Sequence, residues 1–320
     1  MEQDLVLIDK LADGRFHSGA DLGEALGISR AAIWKRVQRL AELGVEVESV
    51  RGKGYRLSHP LSLIDQPELE AMLPSGTMLI YTPVTGSTNA DALALAAEGA
   101  TPPLIVTTEC QNAGRGRRGR RWQSPFAASL YLSVLYRLNG GFASLGGLSL
   151  AAGVAVSEAL ARLMPGLDVG LKWPNDLLVE GAKLGGVLIE LAGEIDGQVQ
   201  VVVGVGVNVA MHESEKEAIG QPWTDLARLG GTLPSRTRLA GEVASSLIAM
   251  LDQFAASGFA PFMEAFERRD LSRDQPVAIY SGEQRREGTA RGVSEDGALL
   301  VEMGGTIHEL YGGEVSLRLQ

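Results

Sequence analysis

A single cysteine, Cys110, is all that the 320 residues contain. That excludes an internal disulfide and a cysteine-rich metal site. Cys110 closes the strand-like run LIVTTEC, where a small packed residue is expected rather than a nucleophile. Aromatic residues make up only 5% of the chain. No apolar run approaches the roughly 18 residues that a membrane-spanning helix needs. The N-terminal MEQDLVLIDK is acidic and unlike a signal peptide, so a cytoplasmic location without membrane partners is expected. There is no phosphate-binding P-loop, no GxSxG nucleophile elbow and no His/Cys/carboxylate set with zinc spacing. With no activated nucleophile, covalent catalysis by the enzyme is not expected.

What remains is a soluble globular composition, 45% hydrophobic with 40 glycines, long enough for two or three domains. The formal net charge of −10 is unevenly placed. Residues 1–60 hold nine Lys/Arg against nine Asp/Glu, so the whole deficit lies in residues 61–320. An acidic protein can still bind nucleic acid through a local basic face.

The densest signal is QNAGRGRRGRRWQSP, residues Gln111–Pro125. Arg115, Arg117, Arg118, Arg120 and Arg121 fall among Gly114, Gly116 and Gly119 within eight residues. Each buried guanidinium would need its own partner, and three glycines disfavour a helix, so the stretch reads as a loop that an anion would order. Arginine forks onto carboxylate and phosphate while glycine lets backbone N–H groups approach, which suits a clamp on a polyanionic small molecule. A strand-like ASLYLSVLY follows at once, placing the loop inside a folded domain rather than in a nucleic-acid-binding tail.

Taken from its start, the chain gives a short helix over Leu5–Leu11, then ADLGEALGI, a break at Gly27, and a helix Arg30–Leu43 capped by Ser29 and ended by Gly44. That is a helix-turn-helix pattern. The second helix carries Arg30, Lys35, Arg36 and Arg39 with no acid before Glu42, and its Ile33, Val37 and Leu40 would face the core. VEVESVRGKGYRLS then alternates like a hairpin, with Arg51, Lys53 and Arg56 about its turn. Together these predict a winged helix whose basic helix enters the major groove while the wing touches phosphates; a module serving only protein contacts is the alternative.

His59–Pro67 reads as a linker. Beyond it, strands are expected at Met78–Thr82, Leu104–Cys110, Ser129–Tyr136, Val169–Trp173, Leu177–Val179, Gly185–Leu191 and Gln198–Val209. Helices are expected at Ala90–Glu98, Leu148–Leu163 and across Leu239–Phe266. Turns at Glu180-Gly181 and Ile195-Asp196-Gly197 favour a mixed or antiparallel α+β sheet over a doubly wound one. From about Asp270, short strands with tight turns, ending VSLRLQ, fit a small β-barrel. The domains expected are residues 1–60, 61–269 and 270–320.

Polar islands interrupt the apolar strands of the central domain. Ser87-Thr88-Asn89 offers short donors and acceptors at a helix start, suited equally to a neutral ligand head and to plain capping. Lys172-Trp173-Pro174-Asn175-Asp176 sets a lysine, an amide and a carboxylate at a strand end. There Asp176 could help hold magnesium across phosphates, and Asn175 could contact phosphate directly. Lys183 enters the strand-like LGGVLIEL, where it could point into a pocket or lie at the surface. Gly204-Val205-Gly206-Val207-Asn208 adds glycines and an amide but is no strand-to-helix dinucleotide fingerprint. Arginines, lysines and a magnesium-competent carboxylate suit electrostatic catalysis that holds two anions together, as when a carboxylate attacks the α-phosphate of ATP.

GRGRRGR followed by W-x-SP, then KWPNDL, KLGGVLIE and GVGVNV, resembles the bifunctional biotin–protein ligase and biotin operon repressor family in order and spacing, over essentially the whole length. The resemblance implies a class II synthetase-like catalytic domain and an SH3-like C-terminal barrel. It implies that biotin and ATP form biotinyl-5′-adenylate and pyrophosphate, and that biotin then passes to a lysine of biotin carboxyl carrier protein, an acetyl-CoA carboxylase subunit. Implied biotin contacts are Ser87, Thr88, Asn89, Gln111, Arg115, Gly116, Arg117 and Lys183. Lys183 would bond the reacting carboxylate, while Arg115 and Arg118 would face the phosphates. Lys172, Asn175, Asp176 and Asn208 would serve nucleotide and magnesium, and Trp223 would cover the adenine. The adenylate-loaded protein would dimerise and bind operator DNA through Ser29, Arg30, Lys35, Arg36, Arg39, Arg51 and Lys53. Rival readings are a lipoate-attaching relative, a sensor that has lost catalysis, and a ligase whose winged helix no longer binds DNA.

Overall fold

The computed structural model describes residues 2–41, 44–195, 197–211, 219–281, 284–312 and 316–319. Expectations that fall on Glu42, Leu43, Asp196, Val315 and Gln320 lie outside these residues.

The first unit packs α1 (Glu2–Leu11), α2 (Gly19–Leu26) and α3 (Arg30–Leu40) around buried Leu7, Ile8, Leu11, Leu22, Ile33, Val37 and Leu40. Both inner helices begin on serine caps: Ser18 Oγ accepts from Asp21 N at 3.1 Å and Ser29 Oγ from Ala32 N at 3.2 Å. Gly27 ends α2 in the left-handed region, as its position in the sequence suggests. The hairpin β1 (Val47–Val50) and β2 (Gly54–Leu57) forms the wing, and His17 bridges Tyr55 as a third short strand. This is the expected winged helix, with α3 ending at Leu40.

Arg36 was expected to reach DNA, but its Nη1 bonds Asp4 Oδ1 of α1 at 2.8 Å and it is largely buried. Three turns of helix place it on the flank of α3 that faces α1 rather than on the outward face. Burial alone would raise the Asp4 carboxyl, but hydrogen bonding from Arg36 and the charge of Arg39 hold it below the ordinary value of 3.8. A depressed carboxylate contributes stability above its ordinary value and loses it as the pH falls through the lower folded value. Asp4→Asn should therefore lower winged-helix stability at neutral pH by about 1 kcal/mol and flatten its loss below about pH 4. Thermal melts across that range check this; an unchanged acid limb would remove Asp4 from the account.

The central sheet has seven strands: β3 (Met78–Tyr81), β5 (Leu104–Thr107), β7 (Ser129–Asn139), β8 (Gly170–Lys172), β9 (Asp176–Val179), β10 (Ala182–Ile195) and β11 (Gln198–Asn208). Its order is β3-β5-β7-β11-β10-β9-β8, parallel only between β3 and β5. Tight hairpins join β8–β9, β9–β10 and β10–β11, which is why the sheet is mostly antiparallel. The expected strand through Cys110 stops at Thr107; Cys110–Gln111 forms a separate strand, β6, paired in parallel with β4 (Val84–Thr85).

Strand β7 is buried along most of its length because helices cover both faces of the sheet. Leu130, Leu132 and Val134 pack with α6 (Leu148–Leu163) and α7 (Arg236–Ser257), while Leu135 and Val202 meet Ala92 and Ala96 of α5 (Thr88–Ala97). The alternation is the period-2 pleat. Alanines at 151, 152, 155 and 159 keep α6 close to the sheet. A short α4 (Gln66–Met72) and α8 (Met263–Glu267) complete the helices named here, and the stretch expected to be largely helical, Leu239–Phe266, is so, with a break after Ser257.

Strands β12 (Pro276–Ser281), β13 (Gln284–Val293), β14 (Leu299–Met303), β15 (Thr306–Leu310) and β16 (Ser316–Leu319) form a five-stranded antiparallel sheet in the order β15-β14-β13-β12-β16. It docks on the central domain, where the Trp173 indole N–H donates to Gly297 O at 3.1 Å.

Candidate functional site

A cavity of about 1060 Å³ opens where the N-terminus of α5, the arginine loop, the β8–β9 turn and strands β10 and β11 converge. Ser87, Thr88, Asn89, Gln111, Arg115, Gly116, Arg117, Arg118, Lys172, Asn175, Asp176, Lys183, Asn208 and Trp223 all line it. Every residue singled out for biotin or nucleotide thus meets in one place, although they span well over a hundred positions of chain.

One end is a neutral polar head. Ser87 occupies the N-cap of α5 but makes no side-chain capping bond. Instead Gln111 Oε1 accepts from Thr88 N at 2.9 Å, while Gln111 Nε2 donates to Ser124 Oγ at 3.1 Å. Ser133 Oγ lies 2.7 Å from Thr88 Oγ1 and 2.6 Å from Asn89 Oδ1. The capping reading of this island therefore gives way: the helix start is held by another segment. The glycines of GVGVN have a steric cause here. A Cβ on Gly204 would sit 2.1 Å from Asn89 Oδ1, and one on Gly206 would sit 2.7 Å from the Trp122 ring.

The other end is charged. Lys183 Nζ pairs with Asp176 Oδ1 at 2.6 Å and stands 5.5 Å from the Trp122 ring centroid. Arg115 pairs with Glu190 at 3.2 Å, and Glu190 Oε2 also accepts from Asn89 Nδ2 at 2.7 Å. Arg117 Nη1 donates to Asn175 Oδ1 at 3.2 Å and its Nη2 donates to Gly312 O, in the turn that follows β15. Burial pulls the Arg117 pKa below its ordinary value, and repulsion from Arg118 and Arg120 adds to that against an offset from Asp176. The arginine loop folds back on itself: Arg115 bridges Arg121, and Gly116 N donates to Arg120 O at 2.7 Å. Arg118, at its tip, has a left-handed backbone with φ 57°, a conformation that non-glycine residues adopt at a cost. The loop places an excess of positive charge over the cavity mouth, which an incoming polyanion would neutralise.

Three expected contacts have structural duties as well. Asn208 Nδ2 donates to Thr224 O at 2.9 Å, and Thr224 N donates to Lys183 O at 2.9 Å. These bonds seat the segment carrying Trp223 beside Lys183. Trp223 is 9% exposed, with the Arg228 guanidinium 4.0 Å over its ring. Ser29, from the DNA-contact set, caps α3 through its hydroxyl.

Two residues of the site escaped the sequence reading. Glu190 ends KLGGVLIE, where a lone acid in an apolar strand was the available signal. Trp122 belongs to W-x-SP; its buried indole nitrogen finds no hydrogen-bond partner among the described residues, beside the cavity it lines. Cys110 is buried, and burial together with nearby Glu109 raises its thiol pKa, in keeping with a packed residue and not a nucleophile.

On the winged helix, Arg30, Lys35 and Arg39 are exposed along α3, and Arg51 lies at the wing tip. Lys53 and Arg56 stack on Phe16, 5.7 and 4.7 Å from its ring centre. Among the described residues no group of three or more His, Cys, Asp or Glu could hold a metal, and no helix is long and apolar enough to cross a membrane. Asp176 is a single carboxylate at the charged end of the cavity, too few donors on its own to cage an ion.

Comparison with known proteins follows the same division. Residues 81–208 match the biotin/lipoate A/B protein ligase family, residues 2–56 a helix-turn-helix domain, and residues 274–318 the biotin protein ligase C-terminal domain. The bifunctional ligase/repressor BirA of Salmonella typhimurium is 44% identical over 98% of this chain and 97% of its own length. That of Escherichia coli is 42% identical over the same shares. The biotin protein ligase of Aquifex aeolicus, solved in complex with biotin and ATP, superposes with a TM-score of 0.65 at 31% identity, over 76% of this chain and 99% of that one. The chain belongs to the family of bifunctional biotin–protein ligases and repressors.

Proposed function

We propose that the chain joins biotin to ATP as biotinyl-5′-adenylate, passes biotin to a lysine of biotin carboxyl carrier protein, and represses transcription through its winged helix. The observation that carries the ligase reading is the cavity with a neutral polar head at one end and Lys183, Arg115, Arg117 and Arg118 at the other. It suits a substrate with an uncharged ring and a carboxylate tail beside a triphosphate. The carboxylate oxygen bonds to the α-phosphorus while the bond to the bridging oxygen breaks and pyrophosphate leaves.

In this reading Ser87, Thr88, Asn89 and Gln111 hold the biotin head, with Gly116 letting the loop backbone approach. Lys183 leaves Asp176 for the biotin carboxylate, and Arg115 leaves Glu190 for the same end of the ligand. Cationic groups there offset the repulsion between two anions and meet charge as it develops. Arg118 and Lys172 face the phosphates, Asn175 and Asn208 position the nucleotide, and Trp223 covers the adenine. Asp176, released by Lys183, would help hold magnesium, which supplies further charge neutralisation on the phosphates when bound.

We place the domain limits at residues 1–60, 61–269 and 270–320, and propose a cytoplasmic, ligand-promoted homodimer that binds operator DNA. Dimerisation on ligand binding requires the adenylate to favour the dimer-competent state. The test is pyrophosphate release from ATP with biotin and, in parallel, lipoate. Release with biotin alone is expected. Release with lipoate alone would point to the lipoate-attaching relatives, and release with neither, on folded protein, would leave a sensor.

A further inference from the structure

The tryptophans divide sharply. Trp173 is 2% and Trp223 9% exposed, and Trp122 is wedged beside the cavity, whereas Trp34 is 54% exposed. Trp34 lies on α3, whose core contacts are already supplied by Ile33, Val37 and Leu40. Ala31, Trp34 and Gln38 fall three and four residues apart, so their side chains lie in one row on the outward side of the helix. All three are exposed, with Lys35 beside the row and Arg30 and Arg39 on either flank. No acidic residue occurs from Ser29 to Ala41.

The indole therefore stands outside the core, in the middle of a cationic face. The charge around it selects an anionic partner. An anion with an apolar feature within reach of such a helix is the DNA major groove, where the thymine C5-methyl is the one apolar group that base edges present. Beside Trp34, the Gln38 amide has the donor and acceptor that match adenine N6 and N7.

We infer that Trp34 is a specificity-determining residue of the DNA-reading face, packing on a thymine methyl while Gln38 reads a neighbouring adenine. This rests on the reading of the winged helix as a DNA-binding module. The cations set how tightly any duplex is held, and the Ala31–Trp34–Gln38 row sets which duplex is preferred.

The experiment uses the full chain preincubated with biotin and ATP. Duplexes are selected from a random library, then the selected site is titrated at several salt concentrations. The same is done with the site in which deoxyuridine replaces each thymine in turn. The wild type is expected to lose about five- to ten-fold in affinity when one particular methyl is removed. Trp34→Ala should bind the selected site about ten-fold more weakly, become indifferent to that methyl, and keep the salt slope. Trp34→Phe should recover part of the discrimination. Lys35→Ala should instead weaken every duplex and lower the salt slope by about one.

If Trp34→Ala keeps both the preferred site and its sensitivity to the methyl, the inference is overturned while DNA binding stands. If the wild type shows no salt-dependent binding to any duplex, the DNA reading falls and the inference with it. A changed oligomeric state in Trp34→Ala with methyl discrimination intact would also overturn it and make the indole a protein contact.

Discussion

Lys183→Ala is expected to cut adenylate formation by about 10²- to 10³-fold, the usual loss when one donor aimed at developing charge is removed. The ammonium stands between Asp176, 2.6 Å away, and the cavity it lines, under the Trp122 ring. Its place is fixed by backbone, since Lys183 N donates to Pro222 O at 3.0 Å and Lys183 O accepts from Thr224 N at 2.9 Å. An alanine keeps both bonds, so the fold should survive and the melting temperature should change little. Pyrophosphate release in a single turnover, with biotin and ATP saturating, gives the rate. Lys183→Gln keeps an N–H donor but loses the charge, so it should be nearly as slow, which separates charge from hydrogen bonding. Normal turnover in the alanine variant would remove Lys183 from the catalytic assignment and shift weight to Arg115.

Much of this site was legible because its residues interrupt apolar strands. Arginines, a lysine or an Asn-Asp pair at strand ends have no packing role that the local pattern explains, so chemistry is the economical reading. The winged helix was legible for a related reason: Ser29, Gly27 and the spacing of Ile33, Val37 and Leu40 each encode a local conformation. What failed to show were pairings between distant positions. Arg36 looks like its neighbours in the sequence, and only the placement of α1 reveals that Asp4 pairs with it, as it does with Arg39. Glu190 looks like a strand-end acid until Arg115, 75 residues earlier, is seen beside it. Gln111 was expected to touch ligand, but its hold on the first N–H of α5 depends on the parallel β4–β6 pair, which propensity does not encode.

The largest loss of stability is expected from a pair that no motif marked. Arg236→Ala should destabilise the central domain by about 3–5 kcal/mol, because it strands the buried Glu109 carboxylate with no counter-charge. Both side chains are almost fully enclosed, at 1% and 0% exposure, and Arg236 Nη1 bonds Glu109 Oε2 directly. Glu109 Oε1 also accepts from Ile64 N at 2.8 Å and from Tyr81 Oη at 3.0 Å. Burial, and then the charge of Glu109, push the Tyr81 phenol pKa upward, which keeps it a donor. Arg236 in turn donates to Ser129 O at 3.1 Å and Ser62 O at 3.2 Å. The network therefore ties the segment after the winged helix to the stretch preceding Gln111 and to the start of β7. Just beyond it, Cys110, Phe126 and Ala127 share a core with Leu57 and Val45 of the winged helix. Loosening the pair should consequently weaken biotin binding as well as lower the melting temperature by about 10 °C, taking 2–4 °C per kcal/mol for a domain of this size. Replacing both partners, Glu109→Gln with Arg236→Met, should recover most of the stability, since it removes the unpaired charge and keeps the volume. A shift of under about 2 °C in Arg236→Ala would mean that water or protonation relieves Glu109, and the pair would then be a bystander to folding. A double variant as unstable as the single one would show instead that the arginine's bonds to Ser62 and Ser129, and not its charge, hold the junction.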